Sequence, residues 1–186
     1  MAKNYAKGNN YYFSANGNDE NNGSIDHPLK TIQHLNSIHV KAGDTVFFKA
    51  KEIFTGTLLL NVSGPGIEEN PIVITSYGNG DAVINGANGS AIEINNSSHI
   101  KIYNLTCKGS GRKDGNTKNG IAVNNCNEIT FENIDISGFQ KSGLSVYNSS
   151  HIIAKKIYAH ENGFAGISIS GEKNKEDCHY IYIGYC

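Results

Sequence analysis

Short apolar doublets recur through the second half of the chain, at Ile92/Ile94, Ile121/Val123, Leu144/Val146 and Ile167/Ile169. Their spacings are 29, 23 and 23 residues, a period in the range of solenoid repeats. Eight residues after the first member of a doublet stands a second landmark (Ile100, Ile129, Ile152), and five residues later a third (Leu105, Ile134, Ile157). Each opens an alternating run, IKI, ITF and IIA, then LTC, IDI and IYA, whose period of two sends one side chain inward and the next outward. Three short strands per unit are expected. Such a unit cannot bury its inward face alone, but units stacked at about 4.8 Å pair their backbones and close one continuous core. The pattern predicts a coil of parallel sheets, a β-helix of three short strands per turn.

Between the second and third strands the chain turns in a single residue, Asn104, Asn133 and then Lys156. A one-residue bend needs a left-handed backbone, which favours Asn, and stacked Asn amides can bond to one another. Lys156 interrupts that ladder. Two coils carry six extra residues each, in KGSGRKDGNTKN (108–119) and GEKNKEDCH (171–179). Insertions in a solenoid map to loops, often on a binding face.

The first ninety residues are less regular. In DHPLKTIQHLNSI, Pro28 after Asp26 and His27, with Leu29, Ile32 and Leu35 at helical spacing, predicts a short amphipathic helix with Pro in its first turn. Its expected job is to cap the open end of the coil. AGDTVFFKA (42–50), FTGTLLLNV (54–62), NPIVITSY (70–77) and DAVING (81–86) read as strands. The chain is thus one domain, 1–186: an N-terminal strand and capping helix over 1–40, irregular first coils over 41–90 and regular coils over 91–186. HYIYIGYC breaks off inside a coil, which predicts either a continuation or cover by self-association.

Composition narrows the function classes. Twenty-five Asn and 21 Gly against 3 Pro and no Trp fit many short strands joined by tight turns. A net charge of −1 gives no basic field to argue for nucleic acid. No apolar run approaches the roughly 20 residues of a membrane span, and MAKNYAKGNN lacks the apolar stretch of a signal peptide. Cys107, Cys126, Cys178 and Cys186 form no metal or redox motif and read as small buried thiols rather than disulfides.

YYFSANGNDENNGSIDHPLKTIQ, then AGDTVFFKA, TGTLLL, NPIVITSYGNGDAVING and the 23-residue coils together resemble the pectate-lyase-like right-handed parallel β-helix superfamily, from about Tyr11 to Cys186. The likeness is closest to the opening of secreted bacterial polysaccharide lyases. It implies an all-β, right-handed parallel β-helix, a polysaccharide partner and a secreted, periplasmic or cell-surface location. It also implies a groove along the first strands and their flanking loops, where Lys or Arg takes the proton beside a uronate carboxylate and Ca²⁺ offsets the carboxylate's charge. That proton is acidic only when the charge is offset, so a cation and a base must converge.

No catalytic residue of that superfamily transfers position by position, so the candidates rest on residue type and place. First strands point Glu93, Ala122, Ser145 and Ser168 outward, with Tyr147 at a strand end. Glu93 and Tyr147 are substrate-contact candidates, against a plain reading of Glu93 as a solvated strand residue. Arg112 and Lys113 are catalytic candidates, and Asp114 a sugar contact or Ca²⁺ ligand, against a solvated Gly-rich loop. Third strands point Thr106, Asp135 and Tyr158 outward, followed by Lys108, Ser137 and His160, with Glu161 next. Lys108 and Tyr158 are sugar-contact candidates, and His160 is an acid or base candidate by residue type. Asp135 and Glu161 join Asp114 as candidate Ca²⁺ ligands. His99 and His151 recur at one offset and read as turn residues. The leading expectation is a polysaccharide lyase that cleaves a uronate-containing chain by β-elimination. The alternatives are a non-catalytic glycan-binding or structural β-helix of adhesin or tailspike type, and an inverting glycosidase, for which the sequence nominates no carboxyl pair.

Overall fold

The computed structural model describes residues 8–61, 69–172 and 178–186. Strand β1 (Asn10–Phe13) and helix α1 (Ile32–Ser37) precede a first turn of the coil made of β2 (Thr45–Lys49), β3 (Ile53–Thr55) and β4 (Leu58–Leu60). A second turn follows in β5 (Ile72–Tyr77), β6 (Ala82–Ala87) and β7 (Ile92–Asn95). Later turns alternate one long and one short strand: β8 (Ser98–Gly109) and β9 (Ile121–Asn124), β10 (Asn127–Ser137) and β11 (Leu144–Tyr147), β12 (Ser150–His160) and β13 (Ile167–Ser170), then β14 (Ile181–Gly184).

All pairing is parallel and runs in three ladders. The first face is β4, β7, β9, β11 and β13, with Leu58, Ile92, Ile121, Leu144 and Ile167 in register. The second face runs from β1 through β2 and β5 to the first halves of β8, β10 and β12 and then β14, with Ile72, Ile100, Ile129, Ile152 and Ile181 in register. On the third face β3 and β6 lead into the second halves of the long strands, with Ala82, Leu105, Ile134 and Ile157 in register. These inward columns, with Phe13, Phe48, Phe131 and Phe139, form a single buried cluster, against which Ile167 and Ile181 pack half-buried. Each fully buried Ile is worth roughly 1.5–3 kcal/mol, so the stacked columns carry the stability that no single turn could supply.

The bends fall where the repeat puts them. Asn104, Asn133 and Lys156 have φ of 52°, 57° and 51°, and Tyr185 takes the same place after β14 at 58°. The Asn133 amide donates to Asn104 at 3.0 Å, and on the first face the Asn124 amide donates to Asn95 at 2.9 Å. In the later turns the expected second and third strands are one long strand with this left-handed residue inside it. A single-residue corner breaks the ladder too briefly to separate them.

Three expectations near the N-terminus need correction. The helix begins at Ile32, not in the first turn after Pro28, and Thr31 is its cap, its hydroxyl accepting from the His34 N–H at 3.0 Å. Leu29 is held instead in extended pairing with β1: its N–H donates to the Tyr12 carbonyl, and its own carbonyl accepts from Ser14. The segment 54–62 is not one strand. Gly56, at φ 131°, turns the chain between β3 and β4, and Val62 lies outside the described residues. Helix α1 packs on β4 and buries Ile32 and Leu35.

Among the described residues the four thiols are free. Cys126 stands in a buried column with Ser97 and Ser149, its Sγ donating to the Asn124 carbonyl at 3.1 Å as the serine hydroxyls do to Asn95 and Tyr147. It substitutes for a hydroxyl there. Burial pushes the Cys126 and Cys107 thiols up, so neither is poised as a nucleophile.

Candidate functional site

Two outward columns of the third face bring the third-strand candidates together. Val83, Thr106, Asp135 and Tyr158 stand in one, and Asn85, Lys108, Ser137 and His160 in the next. Asp135 on β10 and His160 on β12 are diagonal neighbours on adjacent turns, since Asp135 is in register with Tyr158 and Ser137 with His160. His160 Nε2 lies 3.3 Å from Asp135 Oδ1, and its ring packs on Tyr158 at 4.5 Å between centroids with a 31° tilt. Its other ring nitrogen, Nδ1, lies 3.9 Å from Glu161 Oε2. The Asp135 contact favours a proton on Nε2, which leaves the lone pair on Nδ1. Burial, and second the charge of Asp135, push the Asp81 carboxyl up.

Beside this column the loop after β8 forms a wall. Gly111 donates to the Gly138 carbonyl at 3.0 Å and accepts from Asp114 N–H at 3.1 Å. The tight turn needs Gly111 at φ 122°, because a Cβ there would collide with the Asp114 carboxylate. Arg112, Lys113, Asp114, Glu161 and Asn162 line an open cleft of about 490 Å³, with Gly111 and Gly138 at its base. Glu161 therefore joins the His160–Asp135 pair to the loop.

The scaffold of the cleft is built by asparagines. Asn116, 3% exposed, donates to the carbonyls of Ala87 at 2.8 Å and Gly89 at 2.9 Å, and accepts from Lys118 at 2.9 Å and Gln140 at 3.1 Å. Asn162 accepts from Phe139 N–H at 3.1 Å and donates to the Ile136 carbonyl at 3.0 Å. Sequence reasoning passed over both. Nothing in the sequence sets them apart: the first insertion holds Asn119 as well as Asn116, Asn162 lies outside both insertions, and Asn is common throughout.

The candidates divide by place. Arg112, Lys113, Asp114 and Glu161 share the cleft, His160 and Asp135 adjoin it through Glu161, and Tyr158 and Lys108 stand in the same two columns. Glu93 and Tyr147 lie apart on the first face, Glu93 in register with Leu59 and Ala122 and Tyr147 with Asn124 and Ser170. Among the described residues no three His, Cys, Asp or Glu gather closely enough to hold a metal ion. Asp135 and Glu161 both face His160 instead. A carboxyl pair that the sequence does not nominate, Asp114 and Glu161, lines one cleft. His99 and His151 have φ of 53° and 52° and occupy a left-handed corner. Most of the second insertion, 173–177, lies outside the described residues.

Residues 11–180 match the family described as Pel9A-like, right-handed β-helix region. The chain belongs to this family. Within the Pel9A-like fold it is 26% identical over 171 residues to the uncharacterized protein YwoF of Bacillus subtilis (strain 168), covering 89% of this chain and 31% of that protein. The GH136 lacto-N-biosidase of Eubacterium ramulus superposes with a TM-score of 0.67 at 20% identity, over 94% of this chain and 40% of that one. A rhamnogalacturonan lyase does so at 0.61 and 15% identity, over 95% and 50%. At these identities the structural likeness is one of fold. The Pel9A-like chain spans about a third of YwoF's length and two fifths of the lacto-N-biosidase's. Among the described residues no helix is long and apolar enough to cross a membrane.

Proposed function

We propose that the chain contributes to a carbohydrate-active β-helix, and that the third-face cleft handles an acidic polysaccharide by β-elimination. The observation that carries this reading is the convergence of Arg112 and Lys113 with the His160–Asp135 pair through Glu161. A uronate C5 proton becomes acidic when its carboxylate is neutralised, the role given to Arg112, whose planar fork matches a carboxylate. His160 Nδ1 takes the C5 proton, the electrons form the C4=C5 double bond, and the C4–O bond breaks. Lys113 ammonium protonates the departing oxygen. His160 is preferred to Lys113 as the base because Asp135 and the Tyr158 ring hold its imidazole in place, whereas Lys113 stands on an exposed loop. The charge of the uronate is met by Arg112, and no step is routed through Ca²⁺.

A second reading has its own observation. Asp114 and Glu161 line one cleft and could serve as the acid and base of an inverting glycosidase, which needs two carboxyls about 6.5–9.5 Å apart. The two are separated by products. Incubation with pectate, alginate or glycosaminoglycan gives unsaturated uronides, read as absorbance of the new conjugated double bond, under the lyase reading, and saturated reducing ends under the glycosidase reading. His160→Asn is expected to lower elimination by about 10²-fold or more. Binding without either product supports a non-catalytic glycan-binding β-helix and ends both enzymatic readings for this chain.

A further inference from the structure

The second face carries a feature that the third-face cleft does not use. At the corner leading into that face, His99, Glu128, His151 and Tyr180 all take left-handed φ values between 52° and 55°, so their side chains form a row along the coil axis. Within the row His99 Nδ1 meets Glu128 Oε2 at 2.9 Å, and the His151 ring stacks on Tyr180 at 4.8 Å and 24°. Beside it runs the outward column Val73, Lys101, Thr130, Ile153 and Tyr182. Between row and column lie two open clefts of about 340 and 350 Å³ that share His151 and Ile153. They form one trough along the axis, crossing successive turns.

Its floor is apolar and aromatic at one end, and carries Lys101 and the His99–Glu128 pair at the other. Ile153, Tyr180 and Tyr182 line the aromatic end together. The Tyr182 ring lies over Gly184, where a Cβ would meet its hydroxyl and ring, so the glycine makes room for it to lie along the sheet. Lys155 Nζ stands 5.7 Å from that ring's centroid. Glu128 is turned toward His99, while Lys101 enters none of the ion pairs among the described residues. Flat exposed rings suit the C–H faces of a sugar, and uncompensated ammonium groups suit its carboxylates.

We infer that this trough is a second glycan-contact face, taking a uronate oligosaccharide laid along the coil axis with rings on Tyr180 and Tyr182 and carboxylates toward Lys101 and Lys155. It rests on the acidic-glycan reading above and extends it from one face of the coil to two.

The test is aromatic ¹H–¹³C NMR of the whole chain titrated with de-esterified oligogalacturonate, on wild type, Lys101→Ala/Tyr182→Ala and Arg112→Ala/His160→Ala. The expected result is that His151, Tyr180 and Tyr182 ring signals shift in wild type and equally in Arg112→Ala/His160→Ala. In Lys101→Ala/Tyr182→Ala the apparent Kd at His151 and Tyr180 rises at least tenfold, while unligated Tyr158 and His160 signals keep their positions and so report an intact fold. Shifts confined to Tyr158 and His160 overturn the second face and leave the cleft reading standing. Equal shifts with a neutral cello-oligosaccharide overturn its preference for acidic sugars. No shift at any ring overturns both readings.

Discussion

Asn116 offers the sharpest test of how the cleft is held. Asn116→Ala removes two donors to the Ala87 and Gly89 carbonyls and an acceptor shared by the Lys118 and Gln140 N–H groups. Four lost hydrogen bonds at about 1 kcal/mol each set a ceiling of about 4 kcal/mol. Lys118 and Gln140 are exposed, so water can re-pair their N–H groups, which brings the expected loss to about 2–3 kcal/mol. For a domain of this size that is a fall in Tm of roughly 5–10 °C, measured by circular dichroism. Asn116→Asp is expected to be the worse variant, because it keeps the acceptor but turns a buried charge toward two carbonyl oxygens. Hydrogen exchange should locate the loss in residues 110–120 and 138–142, the two loops the side chain joins. A Tm within about 1 °C of wild type, with unchanged exchange in both loops, would refute the reasoning.

Three further outcomes follow from the coil. Lys156→Asn should extend the Asn104–Asn133 amide ladder by one turn and raise Tm by about 1–3 °C, since the exposed Lys156–Glu132 pair it gives up, at 3.2 Å, is worth little; an unchanged or lower Tm counts against the ladder. Gly120→Ala places a Cβ 2.5 Å from Ile136 Cγ2 and 2.7 Å from the Gly143 carbonyl, an overpacking cost of about 1–3 kcal/mol in urea denaturation, and a neutral result would mean that the coils have slack there. Asp19 gives the acid limb of the stability curve. Burial opposes its ionisation, but hydrogen bonds from the Thr31 hydroxyl and the N–H groups of Thr31 and Lys30 outweigh burial and hold its carboxyl below the ordinary value. With the folded pKa depressed, its contribution is complete above the ordinary carboxylate range and is lost as pH falls through the lowered value. Asp19→Asn should therefore lower Tm near neutral pH and narrow the gap to wild type as the solution is acidified; a gap constant with pH would show that Asp19 gives no ionic stabilisation.

Much of the fold was legible because a β-helix repeats its physics. Ile100, Ile129 and Ile152 fell into register at the offset the pattern predicted, and Asn104, Asn133 and Lys156 took the left-handed corner assigned to them. Where the repeat was absent, reading faltered. Helical spacing of Leu29, Ile32 and Leu35 pointed to a helix from Pro28, but Leu29 was claimed by pairing with β1, fifteen or more residues earlier in the chain. Local periodicity cannot see such a competitor.

The candidate site divides in the same way. Residue type and strand parity placed Asp135, Tyr158 and His160 outward on one face, since alternation alone fixes which side chains point out. The sequence by itself thus determined the coil, its corners and the polarity of each face. Only the tertiary structure decided that Glu161 lines one cleft with the Arg112 loop, that Asp114 shares it, and that Glu93 and Tyr147 stand apart on another face. The reason is physical. Parity and period are properties of one strand, whereas the closing of a cleft depends on how an insertion folds back over neighbouring turns, and that is set by buried asparagines such as Asn116 whose partners lie more than twenty residues away.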